Sequence, residues 1–237
     1  PHDYLRAVKK LDNKLLSIDS RPYLFIEYAA GLEPEDFIGF FESAKECNRV
    51  SACIDIGHIG IRAARRVYNQ KYPREDICQL KPDHPNLPDR IADVVTASAS
   101  ALPAVVDVIQ GIGRLGKPLH FHLHDGHPLS TFSPYGVCDH LSFFKKILIP
   151  FEYQGQDTVP TLFGPDGLMQ IILTALEALP REKLSFTLEI HPPHNRISLG
   201  QYADLFANWK DKSNAEKMNA WLEELLLNHQ LLLKACS

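Results

Sequence analysis

Short apolar runs alternate with longer stretches of helical periodicity along this chain. The apolar runs are rich in β-branched and aromatic residues and predict four strands, over residues 23–28, 50–56, 119–124 and 184–190. Apolar residues at helical spacing predict helices, over residues 4–17, 34–47, 91–115, 168–179, 201–209 and 215–234. Strands that alternate with helices are typical of a parallel sheet covered by helices. The pattern therefore predicts an α/β protein.

Two segments interrupt this pattern and predict long loops. Residues 69–90 are rich in Pro, Asp and Asn, and residues 126–167 contain few periodic positions. We expect both loops to lie over the active-site face. The spacing Gly111-x-Gly113-x-x-Gly116 matches a dinucleotide-binding fingerprint in letters, but it lies at the end of a predicted helix. Because that fingerprint acts directly after a strand, we interpret the three glycines as a helix C-terminus.

Composition and charge narrow the class of protein. The chain has 237 residues, 45% hydrophobic and 23% charged, which is enough for one large domain or two small ones. A net charge of −4 gives no electrostatic reason to expect binding to nucleic acid or to a membrane. No apolar run approaches the roughly 20 residues of a membrane span. Five scattered cysteines without a C-x-x-C pair favour a reducing compartment, and we expect a cytoplasmic protein.

The residues with the most chemical potential lie where the predicted strands end. His120, His122 and His124 alternate with apolar residues, so we expect them on one face of the third strand. The other three strand ends each carry an acidic residue, namely Glu27, Asp55 and Glu189. Sites in parallel α/β folds form at the carboxyl ends of the strands. Because buried carboxylates require a cationic partner, the sequence predicts a metal site there.

Each of these residues also has a purely structural interpretation. A glutamate at a strand end is often held by a salt bridge. Asp55 could cap a helix, with His58 as a mere neighbour, and His120 and His124 could be packing residues. The combined pattern at four successive strand ends favours a shared site over four independent accidents.

Four motifs in this chain resemble those of the xylose-isomerase-like barrel superfamily, which includes endonuclease IV, sugar isomerases and sugar epimerases. They are Phe25-Ile26-Glu27-x-x-Ala30-Gly31, Cys53-Ile54-Asp55-x-Gly57-His58, His122-Leu123-x-Asp125 and Thr187-Leu188-Glu189-Ile190. The resemblance implies a (β/α)8 TIM barrel. Because the motifs belong to the last four strands of that barrel, we expect residues 1–237 to be a single barrel domain, incomplete at its N-terminus and holding mainly the C-terminal half, or a half-barrel completed by another copy.

The resemblance also implies roles for individual residues. It makes Glu27, Asp55, His122 and Glu189 the ligands of a divalent ion (Mn²⁺, Mg²⁺ or Zn²⁺), with Glu27 and Glu189 also acting as the catalytic base and acid. Further candidates for a second metal or for substrate are His58, His140, Glu33 and His124.

Two positions depart from the patterns of particular subfamilies. Cys138 stands where the endonucleases carry an aspartate of an extra zinc site, and Pro128 stands where ketohexose epimerases carry an arginine. The leading hypothesis is a metal-dependent isomerase or epimerase that acts on a carbohydrate through a metal-stabilised enediolate. The alternatives are an endonuclease IV-like zinc phosphodiesterase, a metal-binding barrel without catalysis and an amidohydrolase-type hydrolase.

Overall fold

The computed structural model describes residues 2–29, 31–80, 84–130, 144, 160–190 and 214–236. Within these residues lie four strands, β1 (Leu24–Glu27), β2 (Val50–Asp55), β3 (Leu119–Leu123) and β4 (Leu184–Leu188). The helices are α1 (His2–Leu16), α2 (Pro34–Ser43), α3 (Ile56–Lys71), α4 (Leu87–Ser98), α5 (Ala101–Gly113), α6 (Gly164–Ala178) and α7 (Ala215–Cys236).

The four strands form one parallel sheet in the order β1-β2-β3-β4. Parallel neighbours require crossover connections, and helices supply them between successive strands. The predicted α/β class with a parallel sheet is therefore confirmed. All carboxyl ends of the strands lie at one edge of the sheet, where the candidate ligands were expected.

Alternation along the strands gives the sheet two unlike faces. One face is apolar, and its Ile54, Phe121 and Leu123 are fully buried where α3 and α5 pack against the sheet. The opposite face carries polar side chains, namely Cys53, His120, His122, Ser185 and Thr187. Burial of the apolar face provides the main stabilisation of the sheet.

Two helical regions differ from the sequence predictions, and the helix predicted over residues 201–209 lies outside the described residues. Helix α3 was not among the predicted helices, but the interpretation of Asp55 as a helix cap is confirmed, because its carboxylate accepts a hydrogen bond from the His58 amide at 2.8 Å. The single helix predicted over residues 91–115 is two helices, α4 and α5, separated by Ala99 and Ser100.

The predicted loop 69–90 is shorter and less external than expected. Helix α3 continues to Lys71, and α4 begins at Leu87. Between them Ile77, Cys78 and Leu80 are buried in the core. The prolines and aspartates of residues 69–90 indicated a surface loop, but these three buried side chains hold the segment against the hydrophobic core.

The stretch Leu87–Gly113 is long and apolar enough, by length and composition alone, to cross a membrane. In this fold it comprises α4 and α5, whose inner side chains, such as Val105, Val108 and Ile109, lie in the core. Core helices commonly meet such a criterion, so the finding is weak evidence for a membrane span.

Candidate metal centre

The four predicted ligands converge at the carboxyl edge of the sheet, with the His122 ring among the three carboxylates. Its Nδ1 lies 2.6 Å from Glu189 Oε2, 3.8 Å from Glu27 Oε2 and 4.0 Å from Asp55 Oδ2. Register explains this convergence, because Asp55 is directly opposite His122 and His122 is opposite Thr187, two residues before Glu189. Donor atoms of Asp55, His122 and Glu189 all lie within 4.8 Å of one another, close enough to hold one ion.

Asp55 is completely buried and has two functions at once. Its Oδ1 caps α3 and lies 3.1 Å from His124 Nε2. Its Oδ2 is directed towards the cluster, 3.5 Å from His58 Nδ1. The structural interpretation of Asp55 as a helix cap and its functional interpretation as a ligand are therefore compatible, because each uses a different carboxylate oxygen.

His58 approaches the same cluster from the first turn of α3. Its Nδ1 lies 3.8 Å from Glu27 Oε1, and Glu27, Asp55 and His58 form a second group whose donor atoms lie within 4.8 Å. His58, predicted to bind a second metal or the substrate, therefore lies beside the first donor group. The group that contains His58 shares Asp55 with the first group.

His124 lies behind the cluster, whereas the sequence predicted it on the same face of the third strand as His122. Strand β3 ends at Leu123, so the alternation no longer applies to residue 124. The His124 ring is fully buried, with Nδ1 3.0 Å from the Asp125 carbonyl oxygen. A residue buried in this way supports Asp55 rather than contacting substrate. Gly57 leaves room for the ring, because a Cβ there would overlap it.

The electrostatics of the cluster favour a cation. Contacts with the Cys53 thiol, Glu189 and Glu27 raise the pKa of His122 to about 12. The imidazolium stabilises the neighbouring carboxylates, and a divalent ion could replace its proton and provide the same compensation.

The segment after β3 is fixed by Asp125, which is completely buried. Its carboxylate accepts hydrogen bonds from the backbone amides of Gly126 at 2.7 Å, Gly164 at 2.8 Å and Phe163 at 3.2 Å. Burial raises the pKa of Asp125 to about 6 despite these donors. Asp125 thereby links the end of β3 to the start of α6.

The remaining candidates lie apart from the cluster or outside the described residues. Glu33 precedes α2, and its carboxylate forms an ion pair with Arg62 and approaches Arg66 at 3.7 Å. His140 and Cys138 lie outside the residues that the structure describes, as does most of the predicted loop 126–167.

Sequence reasoning overlooked one potential ligand, the buried thiol of Cys53. Cys53 lies opposite both Glu27 and His120 in the sheet. Cys53, His120 and His122 form a third group of donors within 4.8 Å. Its position two residues before Asp55 on the same strand was the available signal, since side chains two apart share a face.

No protein-family model, curated protein or solved structure matches this chain.

Proposed function

We propose that this protein is a divalent-metal-dependent isomerase or epimerase that acts on a sugar or sugar acid, built on the C-terminal half of a xylose-isomerase-like barrel. The observation that carries the proposal is the convergence of Glu27, Asp55, His122 and Glu189 at one edge of the sheet. Parallel strands in sequential order, with a polar inner face and helices outside, are also what a section of barrel wall would have.

The donor set suits a divalent ion bound by Asp55, His122 and Glu189. Glu27, whose donor atoms group with Asp55 and His58, would complete the set after a side-chain movement. Three carboxylates and one imidazole suit Mn²⁺ or Mg²⁺ and are also compatible with Zn²⁺. When bound, such an ion would supply Lewis-acid polarisation of a substrate carbonyl. His124 would keep Asp55 oriented through its contact with Oδ1.

Glu27 and Glu189 are the candidate proton carriers. They lie at the ends of β1 and β4, on opposite sides of the cluster, with side chains that are 45% and 22% exposed. A sugar bound between them could lose a proton to one carboxylate and receive one from the other, which is the exchange that isomerisation or epimerisation requires. His58 would contact the substrate beside Glu27.

A second candidate function is endonuclease IV-like hydrolysis of a phosphodiester. The observation in its favour is the second donor group, Glu27, Asp55 and His58, which could hold an additional ion beside the first. The net charge of −4 does not favour a nucleic-acid substrate. A barrel that binds metal without turnover is the third outcome.

Hydrogen exchange at carbon tests the leading proposal. The Mn²⁺-loaded protein is incubated with a panel of aldoses, ketoses and sugar acids in D₂O, and NMR detects deuterium incorporated beside the carbonyl. We expect exchange by the native protein and a loss of roughly 10²–10⁴-fold in Glu189→Gln and Glu27→Gln. Glu182→Gln, an exposed change at the opposite end of β4, is the matched control.

Each outcome of this experiment decides between the functions. Full exchange activity in Glu189→Gln would refute the catalytic assignment. Cleavage of abasic DNA, without sugar exchange and with more than one ion bound, would establish the phosphodiesterase instead. Metal binding without either activity would leave the non-catalytic barrel.

A further inference from the structure

Cys53 occupies a central position on the polar face of the sheet. It lies between Glu27 on β1 and His120 on β3 in register, and only 2% of its surface is exposed. Burial raises the pKa of its thiol, although contact with His122 acts in the opposite direction. The thiol is therefore buried beside the imidazole rings of His120 and His122, which are themselves partly exposed.

His120 is held in place by hydroxyl groups of the neighbouring strand. Its Nδ1 lies 2.8 Å from Ser185 Oγ, and its Nε2 lies 3.3 Å from Thr187 Oγ1. The His120 and His122 rings pack edge to face with centroids 5.3 Å apart. Imidazole ligands characteristically have a hydrogen-bond partner on the nitrogen that does not bind metal, and either hydroxyl could serve.

We propose that Cys53, His120 and His122 form a second metal site, for a thiophilic divalent ion such as Zn²⁺, deeper on the sheet than the carboxylate site. The donor atoms lie within 4.8 Å of one another. Zinc bonds of about 2.3 Å to sulfur and about 2.0 Å to nitrogen would bring them closer by small side-chain shifts. The thiol proton leaves to solvent when the sulfur binds the ion.

The two sites differ in chemistry and share one residue. The carboxylate site offers mainly oxygen and suits Mn²⁺ or Mg²⁺, whereas one sulfur and two nitrogens select Zn²⁺ or Co²⁺. Both require His122, so an ion at the thiol site removes a ligand from the carboxylate site. If the proposed isomerase function holds, Zn²⁺ becomes an inhibitor that acts through Cys53. Metal binding at the thiol site does not itself depend on that function.

Cobalt titration tests the thiol site without measuring enzymatic activity. Co²⁺ bound to a thiolate gives an intense near-ultraviolet charge-transfer band, which oxygen and nitrogen ligands do not. We expect this band in the native protein, its loss in Cys53→Ser and its retention in Cys78→Ser, the matched control at an equally buried cysteine remote from the cluster. Glu189→Gln should retain the band, because Glu189 belongs only to the carboxylate site.

A second variant keeps the test decisive if Cys53→Ser fails to fold. His120→Asn leaves the thiol intact and should weaken Co²⁺ binding at this site by at least about tenfold. Absence of the band in the native protein, or its persistence in Cys53→Ser, would overturn the proposal. If the native protein shows the cobalt band but no hydrogen exchange with sugars, the isomerase proposal is contradicted and the thiol site remains supported.

Discussion

At the scale of single residues, the site depends on side chains that use their atoms separately. Asp55 directs one oxygen to the α3 amide and His124, and the other towards the cluster. His122 presents Nδ1 to three carboxylates. Such a division lets one residue stabilise the fold and still take part in binding.

Metal binding should release a proton from His122. Its raised pKa keeps the imidazole protonated at pH 7 in the metal-free protein, and a metal ligand must be neutral. We therefore expect about one proton to be released per Mn²⁺ bound, and the affinity to rise about tenfold per pH unit below that pKa. Calorimetry in buffers of different ionisation enthalpy measures the released proton. His84→Gln, remote from the cluster, should leave it unchanged, and a heat independent of buffer would contradict the assignment.

At the scale of secondary-structure elements, the junction between β2 and α3 brings Asp55 together with His124, the residue that supports it. The helix begins immediately after Asp55, and Gly57 in its first turn leaves space for the His124 ring. The α3 backbone therefore determines where the ring supporting Asp55 lies.

The substitution Gly57→Ala should disrupt this junction. The added Cβ would lie 2.7 Å from His124 Nδ1 and 2.8 Å from Nε2, so the ring must move away from Asp55. We expect a loss of about 1–3 kcal/mol in the free energy of unfolding, measured by urea denaturation, with weaker Mn²⁺ binding. The matched control is Gly39→Ala within α2, where a Cβ meets nothing within 4 Å. It should stabilise the protein by about 0.5–1 kcal/mol, since alanine favours helix. Equal effects of the two substitutions would refute the role of Gly57.

At the scale of the whole molecule, two buried ionisable groups in the segment after β3 make the stability of the protein depend on pH. His127 is buried, and desolvation lowers its pKa to about 3. Its Nδ1 accepts a hydrogen bond from the Leu129 amide at 3.1 Å, which requires an unprotonated nitrogen. Asp125 has the opposite effect on stability in acid. Its raised pKa means that the folded protein binds a proton there between about pH 4 and 6, where the unfolded chain does not, and this stabilises the fold as the pH falls.

Acid should destabilise the fold through His127. The unfolded chain takes up a proton at this residue below about pH 6.5, whereas the folded protein resists until about pH 3. The contribution of neutral His127 to the free energy of unfolding is therefore fully present above about pH 6.5 and is lost as the pH falls below that value. Between pH 6 and 4, His127→Gln should gain about 1.4 kcal/mol per pH unit relative to the native protein. Urea denaturation at several pH values measures this. Parallel curves for His127→Gln and the native protein would exclude the effect.

Much of the fold could be predicted because its signals are local. Four apolar runs with intervening amphipathic stretches specified a parallel sheet, and each strand was placed within two residues of its observed ends. Helix α3 escaped prediction because its glycines and arginines obscure the apolar periodicity. The boundary between α4 and α5 escaped because Ala99 and Ser100, which separate the two helices, are small residues of the same kind as those within them.

By itself the sequence determined which chemical groups stand at the strand ends, since strand ends are local features and parallel strands share a direction. Only the tertiary structure decided which groups meet. His124 turned behind Asp55, Glu33 paired with Arg62, and Cys53 came beside His120. The partners in each pair lie 29 to 69 positions apart in the sequence. Strand register and helix packing, which no local pattern encodes, bring them together.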